Sequence, residues 1–309
     1  MAKVSCRKAF TKALLEAALK NPRIYAVATD SRGSVTLDSF ARELPDQFLE
    51  LGIAEQNAVA LASGLASTGR NVFVAGPACF LCGRSFEQIK IDVAYNRSNV
   101  KIIGVSAGVS YGPLGGTHTA LHDFASLRAL PNIKIFVPSD NVAAGAITGL
   151  LTRMEGPAYM RTGRGDVEAV YQEPEAFTEG KAKMLCPGDD LAIIACGETV
   201  FPAKTAAAML KGRGIGARVI DMWSLKPLDE ETALRAALET GRVLTVEEHS
   251  VHGGLGEGLS HLFGERHPVR MKILGFPDEE YRVGKNSELF RYYGLDAEGI
   301  ARAALSLLG

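Results

Sequence analysis

Several side chains stand at spacings that can do chemistry. Glu55 lies in the apolar stretch LGIAEQNAVALASGLA, residues 51–66. A carboxylate opening an apolar helix has two readings. It complements the helix dipole, or it sits partly desolvated, where it can share a proton with a heterocycle nitrogen. His118 follows Gly115-Gly116 in a glycine loop. It is either an ordinary loop histidine or a substrate or cofactor contact, and both readings stand at this point. His118 and His122 are four apart with Asp123 adjacent. On a helix that spacing could hold a metal, but the glycine pair argues for a loop and HExxH is absent, so no metal site is expected. Cys79-Phe80-Leu81-Cys82 is a lone CxxC in apolar surroundings, and it reads as buried structural thiols.

Other motifs exclude chemistry. No GxxxxGK[ST] phosphate loop and no GxSxG nucleophile elbow occur. Gly253, Gly254, Gly256 and Gly258 miss the dinucleotide spacing and read as a tight turn into a helix. His249 and His252 follow a strand pattern and raise a regulatory site as a minor alternative.

These residues must be positioned by alternating elements. Short apolar runs predict buried parallel strands at 24–29, 71–76, 100–107, 133–138 and 157–162, and again at 191–196, 217–222, 242–248 and 271–276. Helical periodicity falls between them. Residues 4–20 carry Phe10, Leu14, Ala17 and Ala18 on one face, and 55–67, 85–95, 121–130 and 141–152 follow suit, with Asp140 as an N-cap. Further helices are expected at 199–211, 230–239, 255–263 and 297–308. The pattern predicts an α/β fold of two domains, 1–165 and 190–309, each a mainly parallel sheet flanked by helices. The polar, Gly/Pro-bearing stretch 166–189 reads as a linker. Open parallel sheets bind ligands at the carboxyl ends of their strands. In the first half those ends carry Asp30 to Ser34, the loop to His118, and Arg161.

Composition narrows the class. The chain has 309 residues, 47% hydrophobic and 22% charged, enough for a large core. A net charge of −1 gives no broad basic surface for nucleic acid. No apolar run reaches the ~20 residues that span a bilayer. The amino-terminal stretch alternates charge and apolar residues rather than forming a secretory signal. Five cysteines in such a chain fit a reducing cytoplasm.

Together the segments ELGIAEQNAVALASGLA, GGTHTALHDFASLRALPNIKIFVPSD, DLAIIACGETVFPAKTAAAML and ARVIDMWSLKPLD resemble the carboxyl-terminal half of transketolases, and in that family's order. The resemblance implies a thiamine diphosphate-binding pyrimidine domain followed by the family's carboxyl-terminal domain. The family's GDG motif, which holds Mg2+ and the diphosphate, is missing here. The resemblance therefore implies one subunit of a split enzyme. A separate amino-terminal subunit would hold the metal in an α2β2 assembly, and the product would be a two-carbon ketol transferase acting on sugar phosphates.

The resemblance also carries roles residue by residue. Glu55 matches the glutamate that, protonated, hydrogen-bonds the aminopyrimidine. Phe80 and Phe86 match aromatics of the pyrimidine pocket, and Asp30 a carboxylate near the thiazolium. The main stacking aromatic of the family falls at Gly83. His118 matches a histidine that faces the reactive carbon. Arg7, Ser34 and Arg161 match a substrate-phosphate site, where two guanidiniums and a hydroxyl suit a dianion. A histidine and an aspartate that usually read sugar hydroxyls fall at Ser106 and Leu114, which implies a non-standard ketose, such as a branched or deoxy sugar phosphate. Two neighbouring classes share the cofactor, a 1-deoxyxylulose-5-phosphate synthase-like protein and the β subunit of a 2-oxoacid dehydrogenase. The paired arginines, Ser34 and SLRALPN favour transketolase. A non-catalytic paralogue is the third alternative.

Overall fold

A computed structural model describes residues 3–309. In chain order the elements are α1 (Cys6–Ala18), β1 (Ile24–Ala28), α2 (Asp38–Glu43), β2 (Phe48–Glu50), α3 (Glu55–Ala66), β3 (Asn71–Pro77), α4 (Ala78–Arg84), α5 (Phe86–Gln88), β4 (Val100–Val105), α6 (Asp123–Arg128), β5 (Lys134–Phe136), α7 (Asn141–Leu151) and β6 (Ala158–Thr162). There follow β7 (Lys183–Cys186), β8 (Leu191–Ala195), α8 (Val200–Lys211), β9 (Ala217–Asp221), β10 (Ser224–Lys226), α9 (Glu230–Thr240), β11 (Arg242–Ser250), α10 (Leu255–Arg266), β12 (Arg270–Phe276), α11 (Asn286–Tyr293) and α12 (Ala297–Leu308).

The chain divides into two compact units. Among the described residues, the first comprises 3–107 and 126–177, the second 108–125 and 178–309. The division is discontinuous, whereas the sequence pattern places one boundary near 165.

In the first unit, parallel strands run in the order β5-β6-β4-β3-β1-β2. Registers such as Ala26↔Phe73 and Val74↔Ile102 hold the centre of the sheet together. Every residue of β3, β4 and β6 is buried, which explains why those strands read as mainly apolar runs, interrupted by Lys101 in β4 and Arg161 in β6. Helix α1 buries Phe10, Leu14 and Ala18, spaced by four, and packs against α7. Asp140 caps α7 by accepting from the Ala143 amide at 2.8 Å.

In the second unit the order is β12-β11-β8-β9-β7. All pairs are parallel except β7 with β9. Strand β7 corrects the linker reading of 166–189. Its four residues are only half-buried or exposed, so it lacks the apolar run that marks the other strands. The expected helix at 85–95 is present from Phe86 to Tyr95, but residues 89–95 wind as a π-helical segment after α5, and Ser85 separates it from α4. Ser85 donates its hydroxyl to the Leu81 carbonyl, a side-chain-to-backbone bond that competes with helix continuation. Among the described residues no helix is long and apolar enough to cross a membrane.

Candidate functional site

In the first unit the candidate residues lie at the carboxyl ends of the strands and in the elements that follow them. Gly52, at φ +69°, makes the turn that delivers Glu55 to the first turn of α3. Glu55 is buried, with 4% of its surface exposed. Its carboxylate is not left alone. Arg84 Nη1 donates to both oxygens, at 3.3 and 3.2 Å. The same guanidinium lies 4.4 Å from the centroid of the half-buried Phe80 ring. Helix α4 places Phe80 and Arg84 four residues apart on one face, so one side chain covers the ring and neutralises the carboxylate.

Arg84 is a site residue that the sequence alone does not reveal. Its one signal is the i, i+4 relation to Phe80, and a helix arginine looks ordinary until Glu55 is found beside it. Phe86, half-buried, begins α5 after the break at Ser85.

Along the same edge, buried hydroxyls face no partner among the described residues. Thr29 and Ser31 follow β1, Ser106 follows β4, and Thr162 ends β6. Buried polar atoms are ordinarily paired, so a row of unpaired oxygens along a sheet's carboxyl edge fits a polar ligand. Ser106 is held at φ +56° and Asp30 at φ +55°, conformations that non-glycine residues adopt at a cost. The Asp30 amide donates to Glu50 Oε1 at 2.6 Å, and its side chain is exposed.

The structure brings Arg7 and Ser34 together. Arg7 Nη1 donates to the backbone carbonyl of Ser34. Arg161 is buried in β6, opposite Gly104 of β4.

His118 belongs to the second unit. It follows the tight turn of residues 112–117, and its Nδ1 pairs with Thr117 Oγ1 at 2.9 Å. Tyr111 meets its ring edge-on, with centroids 5.6 Å apart. The loop is closed at its base by reciprocal backbone bonds between Gly108 and Ala120, at 3.2 and 2.9 Å. Leu114 is exposed in this loop, and His122 is exposed too. Among the described residues no cluster of three or more His, Cys, Asp or Glu is arranged to hold a metal. In the CxxC, Cys82 is buried but Cys79 is only half-buried. Burial pushes the Cys79 thiol up to about 11, so it is not a nucleophile at neutral pH.

Comparison with known proteins identifies the family. Residues 2–169 match the transketolase pyrimidine-binding domain, and residues 180–300 match the transketolase C-terminal domain. The chain is 51% identical to one of the subunits of the apulose-4-phosphate transketolase of Phocaeicola vulgatus, over 99% of this chain and 98% of that one. It is 36% identical to transketolase of Rattus norvegicus over 99% of its own length but only 49% of the relative's. Among solved structures, a split gene transketolase described as an inactive beta4 tetramer superposes with a TM-score of 0.90 at 37% identity, covering 99% of both chains. The chain belongs to the transketolase family.

Proposed function

We propose that this chain is the carboxyl-terminal subunit of a split, thiamine diphosphate-dependent transketolase, and that it transfers a two-carbon ketol unit from a modified ketose phosphate to an aldose. The observation that carries the reading is the nearly inaccessible Glu55 carboxyl at the start of α3, linked through Arg84 to the Phe80 ring. The residues present fit the pyrimidine half of the cofactor. A buried carboxyl, a half-buried aromatic face and the unpaired hydroxyls of Thr29, Ser31, Ser106 and Thr162 suit a flat, polar heterocycle. When bound, the cofactor supplies the electron sink for breaking and making the carbon–carbon bond.

The chain's own residues then divide the work. Glu55 offers its carboxyl as a hydrogen-bond partner to a pyrimidine nitrogen, in a setting where water does not compete for it. Phe80 and Phe86 would offer apolar walls to the bound cofactor, and Asp30 would be the carboxylate toward its thiazolium. His118 moves a proton at the substrate oxygens. Arg7, Ser34 and Arg161 form the phosphate site.

The family's GDG motif is missing from the sequence. The divalent cation, Mg2+, is therefore assigned to a separate amino-terminal subunit in an α2β2 assembly. The naming of the Phocaeicola relative as one subunit of its enzyme supports that partner. Its apulose-4-phosphate designation supports a branched or otherwise modified donor, in line with Ser106 and Leu114 at the two positions that read sugar hydroxyls elsewhere in the family.

Calorimetry with thiamine diphosphate and Mg2+ tests the split. Binding to the mixture of subunits, and none to this chain alone, is expected; tight binding to this chain alone overturns the subunit assignment. With the assembled complex, Glu55→Ala should lower turnover by roughly 10²–10⁴-fold, the range for losing a positioned acid–base group. Comparison of apulose 4-phosphate with xylulose 5-phosphate as donor tests the specificity. Turnover of xylulose 5-phosphate and ribose 5-phosphate at ordinary transketolase rates would refute the modified-donor reading.

A further inference from the structure

The carboxyl end of β11 carries three consecutive buried ionisable residues, Glu247, Glu248 and His249, that the chemistry above does not use. Strand geometry turns Glu248 to the opposite face from its neighbours. Glu247 accepts from the Leu255 and Gly256 amides at 2.7 and 2.8 Å, and so caps α10. Glu248 does something different. Its Oε1 accepts from the Val109 amide at 2.9 Å and from Asn286 Nδ2 at 3.2 Å. Val109 is the second residue of the loop that bears His118, and Asn286 opens α11.

Three further contacts place the same strand end under this loop. The Ser250 amide donates to the Leu121 carbonyl at 3.0 Å. The His249 ring stacks on Phe124 at 4.8 Å between centroids and 16° between planes. Gly108 sits at φ +59°, and a Cβ there would stand 2.2 Å from the Glu248 carboxyl carbon. Only glycine lets the loop close this tightly onto the carboxylate. On the loop's other flank, a Cβ at Gly112 would meet the Gly284 carbonyl at 2.3 Å. The loop is therefore held between β11 and the segment that enters α11.

We propose that Glu248 is a positioning residue for His118. Its carboxylate joins the base of the loop to the start of α11, and it fixes where the imidazole stands. The proposal deepens the reading of His118 as a proton-handling group and rests on it. The bond from Val109 is charge-assisted and shielded from water, so removing the carboxylate leaves a buried amide without its acceptor and a loop free to shift.

The test is a double-mutant cycle in the assembled enzyme, with Glu248→Ala, Glu248→Gln and His118→Ala. Glu248→Ala should lower kcat by roughly 10–100-fold, the scale of a catalytic group displaced by about 1 Å. Affinity for thiamine diphosphate should stay within about twofold, and in the His118→Ala background the same change should cost less than about twofold. Glu248→Gln keeps an acceptor oxygen and should recover most of the rate. Hydrogen exchange of the full chain should show faster amide exchange at residues 109–120 in Glu248→Ala.

A rate loss equal in both backgrounds, or unchanged loop exchange, overturns the proposal. If His118→Ala keeps full turnover, the role of His118 falls. The exchange measurement then decides the clamp alone: faster exchange upholds it, and unchanged exchange removes it. Should Glu248→Ala fail to fold, Glu248→Gln goes through the same cycle, with a smaller loss expected that vanishes in the His118→Ala background; a loss that persists there overturns the proposal.

Discussion

Lys101 offers a quantitative check on the first unit. It lies fully buried in β4, and its ammonium donates to the Gly156 carbonyl at 2.6 Å and to Asn99 Oδ1. Burial lowers its pKa from 10.5 to about 7. The folded state therefore binds fewer protons than the unfolded state between about pH 7 and 10.5, and stability rises with pH across that window. At 1.36 kcal/mol per pH unit, the span corresponds to a ceiling of roughly 5 kcal/mol.

Replacement by methionine preserves volume and removes the titration. Gly156 and Asn99 are both half-exposed, so their acceptors can turn to water. Lys101→Met should thus be more stable than the wild type at pH 6, by roughly 2–3 kcal/mol after the interior relaxes around the charge. For a chain of this size that is about 3–5 °C in Tm. The advantage should shrink steadily to pH 9.5. Scanning calorimetry of the two proteins from pH 6 to 9.5 measures it, because the other titrating groups cancel in the difference. Parallel Tm curves, or a less stable variant at pH 6, would refute the reasoning.

Two more outcomes follow from single side chains. Asp140 is fully buried and accepts from three backbone amides: Ala143 on Oδ1 at 2.8 Å, and Val170 and Tyr171 on Oδ2 at 2.7 and 2.8 Å. Asp140→Asn turns an NH2 toward donors and should cost about 2–4 kcal/mol, read as a lower urea midpoint at unchanged slope. Cys79, with its pKa pushed up to about 11, should carboxymethylate at pH 8 more than tenfold slower than a free cysteine peptide, by intact-mass kinetics; equal rates would show an exposed, unperturbed thiol.

The central strands are legible in the sequence because burial on both faces demands mainly apolar runs, as in β3 and, apart from Lys101, β4. Strands β2 and β7 are not, because their residues are half-buried or exposed and carry no such run. Glu55 stands out as a lone carboxylate in an apolar helix. Arg84 and Glu248 do not, because their meaning lies in partners 29 and 139 residues away. The joining of residues 108–125 to the second unit is equally a tertiary fact. Local periodicity carries no information about which distant strand a loop will rest on.

That discontinuity has a consequence in time. During synthesis at about 5–20 residues per second, residue 109 leaves the ribosome roughly 7–28 s before Glu248, the residue 139 positions later that holds it. The segment that enters α11 arrives later still. The sheet behind Glu55 can form while the His118 loop still has no floor. A chain that stops short of β11 therefore carries the sheet behind Glu55 and a His118 loop without its Glu248 contact. Order of emergence thus leaves the floor of the His118 loop to the final quarter of the chain.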